Sequence, residues 1–434
     1  MRFQYIYQKT RRWISDLTVG GSWGRTQSAL IQHNLRWFWL DGFFASASDN
    51  IVVNFVSLYI LSLGATQAQI GLMSSLSNLT AAALLLPGAF LAERIGRRKE
   101  ISLFCGGGFG RLALLMLVFV PILMKGAGLV WIAIALSVTR DAFSNLGYPS
   151  WMGVTNDIVP MEGRGRYFGA RNFVMGIAGM AATLIAGQLI TLFVAERGYQ
   201  IALGIAFVLG AASTFSYAKI HDKPIPYQRV NANNSSLRYF ISLLKGQPQF
   251  VALAATAAVW NFALNVSGPF FNVFMVQDLK FNASEVGILA VVSSLTGLLV
   301  QNRMGELVDR LGPRKVQFIS MSIIPLIPLA WIPATQVWHI ALINIFSGAV
   351  WGAFNLASFN LLLASMPKSL VPRYSAIYQI IVTLSLSAGA LVGSLMVDHW
   401  GFVSVLIASA IFRWVAAGLF ARWIKDPTPA EPSE

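Results

Sequence analysis

Apolar stretches long enough to cross a bilayer recur along almost the whole chain. A membrane-spanning helix needs about 20 mostly apolar residues, because only a helix satisfies its own backbone polar groups in lipid. Only 12% of the 434 residues are charged, against about 25% in soluble proteins. We therefore predict an all-α membrane protein of twelve transmembrane helices. The predicted spans are roughly 38–62, 69–92, 100–123, 128–150, 167–194, 199–219, 249–277, 284–304, 314–333, 336–362, 372–397 and 400–423.

One long polar interruption divides these spans into two sets of six. It covers residues 220–248, which we interpret as a cytoplasmic linker between an N-terminal bundle (37–219) and a C-terminal bundle (249–424). The polar, basic segment 1–36 lacks the apolar core of a signal peptide, so it is interpreted as a cytoplasmic segment. Residues 425–434 are predicted to be a disordered cytoplasmic tail.

The positive charges mark one side of the predicted membrane topology. Most of the 32 Lys and Arg fall in the N-terminus, the even-numbered connections and the C-terminus, with Arg171 counted in the fourth connection. Basic loops stay on the cytoplasmic side, so both termini are expected there, in an integral protein of the cell (inner) membrane. The net charge of +14 is therefore a topology signal that needs no nucleic acid to explain it. It also favours contact with anionic lipid headgroups.

Two segments rich in glycine, arginine and lysine show that the halves share one plan. Shifted by 216 positions, "AERIGRRK" at 92–99 lies over "VDRLGPRK" at 308–315, and Gly71 lies over Gly287. A second pairing places "RY" at 166–167 over "RY" at 373–374. Paired six-helix halves are typical of secondary transporters.

Both copies resemble the loop between helices 2 and 3 of the major facilitator superfamily. That loop carries a glycine, an acid four residues later, then a base, a glycine and two bases. The C-terminal copy fits this pattern through Gly305, Asp309, Arg310, Gly312, Arg314 and Lys315. The N-terminal copy departs from it, with its glycine one position early and a glutamate for the aspartate. Its members are Gly88, Glu93, Arg94, Gly96, Arg97 and Arg98.

The resemblance covers residues 37–424 and implies two pseudo-symmetric six-helix bundles. It also implies a gating role for these twelve residues, since in the family the acid contacts a facing helix end or an arginine and locks the cytoplasmic side shut. The alternative is that the basic loops only fix topology. The glycine spacing and the acid among the bases favour gating.

In the same family, helices 1, 4, 7 and 10 line a central cavity, and all four carry polar residues at helical spacing here. The candidates for binding substrate or coupling protons are Asp49, Asn50, Asn54, Arg140, Asp141, Ser144, Asn261, Asn265, Trp351 and Asn355. Trp260 and Trp351 are either packing residues or a stacking surface for a ring. Residues 48–54 ("SDNIVVN") partly resemble a drug-antiporter motif, but the Ala-Leu-Pro that should follow is missing.

Asp49 and Arg140 are the sharpest of these candidates. Each lies near the middle of its predicted helix, where an unpaired charge costs at least about 2.5–3.5 kcal/mol. Two hypotheses remain open: Asp49 is a protonatable coupling carboxylate with Arg140 as its partner or substrate anchor, or the two form a static ion pair. Arg111 is interpreted as a flank residue within reach of Asp41, and Arg413 as a residue that snorkels beside Trp414; neither is given a function.

The motifs favour transport over catalysis. The sequence shows no ATP-binding glycine loop, no metal-binding histidine pair and no nucleophile constellation, so we expect no enzyme activity, cofactor or metal. We predict a monomeric secondary active transporter that moves a small solute by alternating access with proton coupling. The alternative is a non-transporting assembly factor for pigment complexes, which would not need charges at mid-bilayer. The substrate and the direction of flux stay open.

Overall fold

The computed structural model describes residues 18–126, 128–193, 196–222, 246–366 and 371–424. Residues 1–17 of the predicted N-terminal segment, most of the predicted linker and the predicted tail 425–434 lie outside these residues. In the described residues, nine long helices and one broken helix precede the C-terminal run. They are α1 (Ala29–Ser62), α2 (Gln67–Ile95), α3 (Arg98–Leu123), α4 (Gly128–Ile158), α5 (Arg164–Leu192), α6 (Glu196–Ala218), α7 (Pro248–Gln277), α8 (Ala283–Leu311), α9 (Pro313–Ile323 and Leu326–Trp331) and α10 (Val337–Ala364).

The last helical run, Val371–Trp423, is continuous in its hydrogen bonds but contains a kink. Gly401 has φ 74° and ψ 178°, a backbone conformation that glycine adopts without the steric penalty of a side chain. We call the parts before and after this kink α11 and α12. The kink falls at the predicted boundary between the last two spans.

Ten helices in the described residues are long and apolar enough to cross a membrane. Two features explain the difference from the predicted twelve. The run through Gly401 counts once although it covers two predicted spans. The predicted span 314–333 is broken into two short pieces beside Pro325 and Pro328, which lack the amide hydrogen that an uninterrupted helix requires. The all-α membrane architecture is confirmed, and the number twelve is approximate.

The described helices form two compact units. The N-terminal unit comprises 18–64 and 83–222, and the C-terminal unit comprises 65–82 and 246–424. The first half of α2 belongs to the C-terminal unit, where the hydroxyl of Ser394 donates to the carbonyl of Ala68 at 2.6 Å and the hydroxyls of Ser75 and Ser387 lie 3.1 Å apart. Hydropathy does not show such a division inside one helix. The predicted bundle limits 37–219 and 249–424 stay a prediction.

The residues just before α1 pack into the N-terminal unit. Val19 is fully buried in an apolar cluster with Phe38 and Tyr167. The ring of Trp23 covers Gly163, where an added Cβ would lie 2.0 Å from the indole. Ser28 caps α1, so this helix begins earlier than the predicted span. Part of the predicted terminal segment 1–36 is therefore folded against the loop between α4 and α5.

A π-helical stretch interrupts α3. Residues Leu103–Gly110, with the sequence LFCGGGFG, follow the wider π geometry, and the helix returns to α geometry at Arg111. Gly107 in this stretch allows α6 to approach, since an added Cβ would lie 2.6 Å from the methyl group of Thr214. Such π segments are frequent at functional sites. The π stretch ends directly before Arg111 and so determines the direction in which the Arg111 side chain leaves α3.

Candidate functional site

A cavity of about 510 Å³ lies inside the N-terminal unit. Helices α1, α3, α4, α5 and α6 contribute to its wall. The ionisable and amide groups that line it are Asp41, Asp49, Asn50, Arg111, Arg140, Tyr148, Arg171 and Tyr217. Charged side chains are expensive at membrane depth and are retained where they pair or carry a function. The charge content therefore makes this cavity the candidate site.

Asp49 is the centre of the charge network. Its Oδ1 accepts from Nη2 of Arg140 at 2.9 Å and lies 3.3 Å from Nη1 of Arg111. The Asp49 side chain is 48% exposed, whereas the two arginine side chains are 13% and 14% exposed. The carboxylate thus faces the open space of the cavity while both guanidinium groups lie in its wall. A carboxylate in this position is accessible to a proton.

Arg140 uses two different nitrogens for two carboxylates. Nη1 donates to Oδ1 of Asp141 at 2.9 Å, while Nη2 contacts Asp49. A planar guanidinium can hold two acceptors in this way, and a lysine ammonium lacks that fixed fork. The structure therefore brings together three of the predicted site residues, Asp49, Arg140 and Asp141.

Arg111 corrects one interpretation made from the sequence. Interpreted from the sequence as a flank residue, Arg111 instead lines the cavity, where its Nη1 donates to the hydroxyl of Ser48 at 2.9 Å and contacts Asp49. Gly210 on α6 makes room for it, because an added Cβ would lie 2.6 Å from Nε of Arg111. The glycine run that precedes Arg111 in α3 was the available sequence signal.

Arg171 does not belong to the fourth connection, where the charge distribution places it. It lies two turns inside α5 and is 3% exposed. Nη2 lies 3.5 Å from Oδ2 of Asp41, and Nε donates to the carbonyl of Phe38 at 3.1 Å. The hydroxyl of Ser213 donates to the other oxygen of Asp41 at 2.7 Å. This second ion pair is satisfied by its own hydrogen bonds and is far less exposed than Asp49.

The remaining polar candidates of the N-terminal unit are partly engaged in local bonds. Asn50 lines the cavity and donates to the carbonyl of Ser46 at 2.9 Å. Ser144 lines it too and donates to the carbonyl of Arg140 at 2.9 Å. Asn54 donates to the carbonyl of Asn50 at 2.8 Å, one turn beyond the cavity wall.

The candidates on α7 and α10 lie in the C-terminal unit. Asn261, Trp351 and Asn355 line a cavity of about 240 Å³ within that unit. Asn265 does not line it; its side chain donates to the carbonyl of Leu386 at 2.7 Å. The sequence analysis groups all four with Asp49 as one site; the structure describes three of them, Asn261, Trp351 and Asn355, on the wall of this second cavity.

Arg413 does not snorkel. It is 3% exposed in the C-terminal unit, and its Nη2 donates to the hydroxyl of Ser267 at 3.0 Å. A second hydrogen bond joins the same two helices, since the hydroxyl of Ser409 on α12 donates to the carbonyl of Ala263 on α7 at 2.6 Å. Arg413 therefore connects α12 to α7 rather than reaching toward a membrane surface.

The predicted gating residues have varied surroundings. Arg98 pairs with Asp157 at 3.3 Å, and Nε of Arg314 donates to the carbonyl of Ile424 at 2.7 Å. Gly88 permits close contact of α2 with α4, because an added Cβ would lie 2.3 Å from the carbonyl oxygen of Leu146.

Two further glycines of these segments, Gly96 and Gly312, have positive φ of 68° and 82° at the helix ends. Gly305 lies on α8. Of the charged members, Arg94, Arg97, Asp309, Arg310 and Lys315 are exposed. The side chain of Glu93 lies outside the described part, and gating stays a prediction.

Comparison with known proteins identifies the family. The sequence profile of the Major Facilitator Superfamily matches residues 38–271 and 253–434. The multidrug resistance protein MdtG of Salmonella arizonae is 24% identical over 403 residues, which cover 88% of this chain and 95% of that protein.

Solved structures show the same fold at low identity. A mutant of the nucleoside transporter NupG is 14% identical with a TM-score of 0.71, over 90% of this chain and 99% of that one. A D-xylose-proton symporter is 12% identical with a TM-score of 0.70, over 96% and 99%. The chain is a multi-pass membrane protein that belongs to the major facilitator superfamily.

Proposed function

We propose that this protein is a proton-coupled secondary transporter of a small organic solute, with Asp49 as the group that takes up the coupling proton. The observation that carries the proposal is the contact of one cavity-facing carboxylate with two arginines in the wall. In the ionised state Asp49 holds Arg111 and Arg140. A proton on its oxygen removes the negative charge that attracts both.

Protonation of Asp49 would change the net charge of this network. Arg111, Arg140 and Arg171 stand against Asp41, Asp49 and Asp141, so the network is balanced when all six are charged. Protonation of Asp49 leaves one positive charge without a counter-charge. An anionic group of a solute would then be stabilised at the freed guanidinium of Arg140, which links proton binding to solute binding.

The relatives support transport but not a particular substrate. The MdtG relatives are described as multidrug resistance proteins, and the fold neighbours include nucleoside and sugar transporters. The alternative role as an assembly factor gives no reason for a charged, solvent-accessible cavity. We further propose location in the inner membrane with both termini cytoplasmic, which the distribution of basic residues and the bacterial relatives support.

The test is uptake into proteoliposomes that contain the full chain. A panel of labelled carboxylates, organic phosphates and neutral compounds is offered with and without an inward proton gradient. The wild-type protein is expected to accumulate at least one anionic solute, and a protonophore should abolish the accumulation. The Asp49→Asn variant should lose accumulation yet retain exchange of labelled for unlabelled solute, because its side chain can no longer lose or gain a proton.

The matched control is Asp278→Asn, which changes an aspartate in the loop after α7, outside both cavities. This variant should accumulate solute as the wild type does. Gradient-driven accumulation that survives in Asp49→Asn would refute the coupling role. Absence of uptake of every solute in the panel, together with co-purification of a pigment complex, would favour the assembly role instead.

A further inference from the structure

Two of the four histidines of this chain lie side by side in the N-terminal unit, away from the lining of its charged cavity. His33 lies in the second turn of α1, and His221 follows the end of α6. Their ring centres are 4.8 Å apart, and the ring planes meet at 62°. The two residues are far apart in the sequence, so the fold creates a histidine pair that no sequence motif predicts.

A hydrogen bond fixes which ring nitrogen of His33 carries the proton. Nε2 of His33 lies 3.1 Å from the backbone carbonyl oxygen of Lys219. Because a carbonyl oxygen only accepts, Nε2 is the donor, and the neutral ring has its free electron pair on Nδ1. Histidines that bind metals commonly donate their other ring nitrogen to a carbonyl or a carboxylate in this way. His33 therefore has the tautomer that binds a metal ion through Nδ1.

The backbone of His221 is held beside α1 by a reciprocal pair of hydrogen bonds. Nδ2 of Asn34 donates to the carbonyl of His221 at 2.8 Å, and the backbone amide of His221 donates to Oδ1 of Asn34 at 2.8 Å. Asn34 is itself only 6% exposed. His221 is exposed and His33 is half-buried, so an ion can reach the pair from solvent. The two residues are thus positioned before any ion binds.

We infer that His33 and His221 together bind one divalent transition-metal ion, with Zn²⁺ as the test case. A zinc–nitrogen bond is about 2.0–2.1 Å long, and each nitrogen lies about 1.1 Å from the centre of its ring. Two imidazoles that share an ion at an angle of about 90–110° therefore have ring centres about 4.5–5.2 Å apart. The observed separation of 4.8 Å lies inside this range. Imidazole nitrogen favours Zn²⁺, Ni²⁺ and Cu²⁺ over Mg²⁺ and Ca²⁺, which prefer oxygen.

The protein supplies two ligands to this site. The described residues contain no group of three or more His, Cys, Asp or Glu side chains that could hold a metal ion, so water completes the coordination. Of the neighbouring charges, the ammonium of Lys219 lies over the ring of Phe215, 4.9 Å from its centre, and the acidic residue Asp222 adjoins His221. A bound ion joins the start of α1 to the chain that leaves α6, so it should stabilise the folded protein.

This inference does not rest on the proposed proton coupling. Neither histidine lines the cavity that contains Asp49. Asp49→Asn should therefore bind Zn²⁺ as the wild type does, and His221→Ala should retain proton-driven uptake in metal-free buffer. Each of the two proposals can fail while the other holds.

The test is Zn²⁺ binding to the purified full chain in detergent, prepared without a polyhistidine tag and stripped of metal. Calorimetric titration with Zn²⁺ alone should show one ion per chain in the tightest class of sites. His33→Ala and His221→Ala should each weaken this class at least about tenfold, since even the loss of an outer-shell partner weakens metal binding by about 10–100-fold. The matched control is His399→Ala, which removes an exposed histidine of the C-terminal unit and should bind as the wild type does.

Two further measurements show whether the rings share one ion. The double variant His33→Ala, His221→Ala should lose little more affinity than either single variant, because one imidazole alone already binds weakly; losses that add would show two separate ions and contradict the shared site. Bound Cu²⁺ provides a spectroscopic signature. Its electron paramagnetic resonance spectrum should show coupling to two imidazole nitrogens in the wild type and to at most one in each single variant.

Thermal unfolding separates loss of the site from loss of the fold. His221→Ala keeps both backbone hydrogen bonds to Asn34, so its melting temperature without metal should equal that of the wild type. Zn²⁺ should raise the melting temperature of the wild type and of His399→Ala, but not that of His33→Ala or His221→Ala. Equal Zn²⁺ affinity in the wild type and in both single variants would indicate an adventitious ion only and would overturn the inference.

Discussion

Asp41 and Arg171 face each other across α1 and α5 with Oδ2 and Nη2 3.5 Å apart, and their side chains are only 8% and 4% exposed. The pair is closed in by its own hydrogen bonds from Ser213 and to Phe38, and the guanidinium carbon lies 4.0 Å from the Phe38 ring centre. Asp49, by contrast, opens to the cavity. The N-terminal unit therefore contains one buried ion pair enclosed by its own hydrogen bonds and one whose carboxylate is half-exposed to the cavity.

The first prediction concerns this closed pair. Asp41→Leu leaves a buried guanidinium without its counter-charge and should lower the free energy of unfolding by about 3–5 kcal/mol. The double variant Asp41→Leu, Arg171→Leu removes both charges and should recover part of that loss. The measurement is thermal unfolding of the purified variants in one detergent. A double variant less stable than the single variant would show that the two residues do not act as a pair.

The second prediction concerns the fork of Arg140. Arg140→Lys cannot keep both Asp49 and Asp141 in the same fixed geometry, so proton-driven uptake should fall at least about tenfold. Arg111→Lys should cost less, because Nη1 of Arg111 contacts Asp49 at the longer distance of 3.3 Å. Initial uptake rates in proteoliposomes compare the two. Equal losses in both variants would contradict the prediction that Arg140 contributes more to uptake than Arg111.

The third prediction concerns the glycine beside Arg111. Gly210→Ala places a Cβ 2.6 Å from Nε of Arg111, so the arginine must move away from Ser48 and Asp49, and uptake should fall. Gly204→Ala lies on the same helix, and an added Cβ there meets nothing within 4 Å. It should leave uptake unchanged and stabilise the helix slightly. Uptake is measured in both variants at equal protein content. Equal uptake by Gly210→Ala and Gly204→Ala would contradict the argument that a Cβ at position 210 displaces Arg111.

The fourth prediction concerns membrane topology. Cys105 is the one cysteine of the sequence and is buried, so Cys105→Ser gives a background for labelling. Cysteines placed at Arg97 and Arg310 should react with a membrane-impermeant maleimide from the cytoplasmic side, and one at Lys125 from the opposite side. Inside-out vesicles expose the cytoplasmic side of the membrane to the reagent, and intact spheroplasts expose the opposite side. Labelling of Arg97→Cys and Arg310→Cys from different sides would disprove the predicted symmetry of the halves.

Some of the site followed from the sequence because burial of charge in a membrane is so costly. Asp49 and Arg140 stood out as charges near the middle of apolar helices, and the structure brings their side chains to 2.9 Å. Arg171 did not stand out, because it counted as a charge of the fourth connection although it lies inside the predicted span 167–194. A charge near the start of a span can thus be assigned to the neighbouring loop although it forms a buried ion pair inside the helix.

Other features depend on rotation and backbone geometry, which a hydropathy pattern does not contain. The π geometry of 103–110 changes the direction in which Arg111 points, so its helix number alone does not predict its contacts with Ser48 and Asp49. The break in α9 beside Pro325 depends on which backbone carbonyls lose their hydrogen-bond donors. Such properties belong to the assembled unit rather than to any one stretch of residues.

The packing of residues 18–25 has a consequence for how this protein is prepared. Trp151, Tyr217 and Leu103 line the charged cavity on one side and pack with the cluster that holds Val19 and Trp23 on the other. A chain shortened to start at the first membrane helix would strip the outer support from these three side chains. Trimming that end is therefore a change to the cavity wall, and transport measured on a truncated form describes a different molecule.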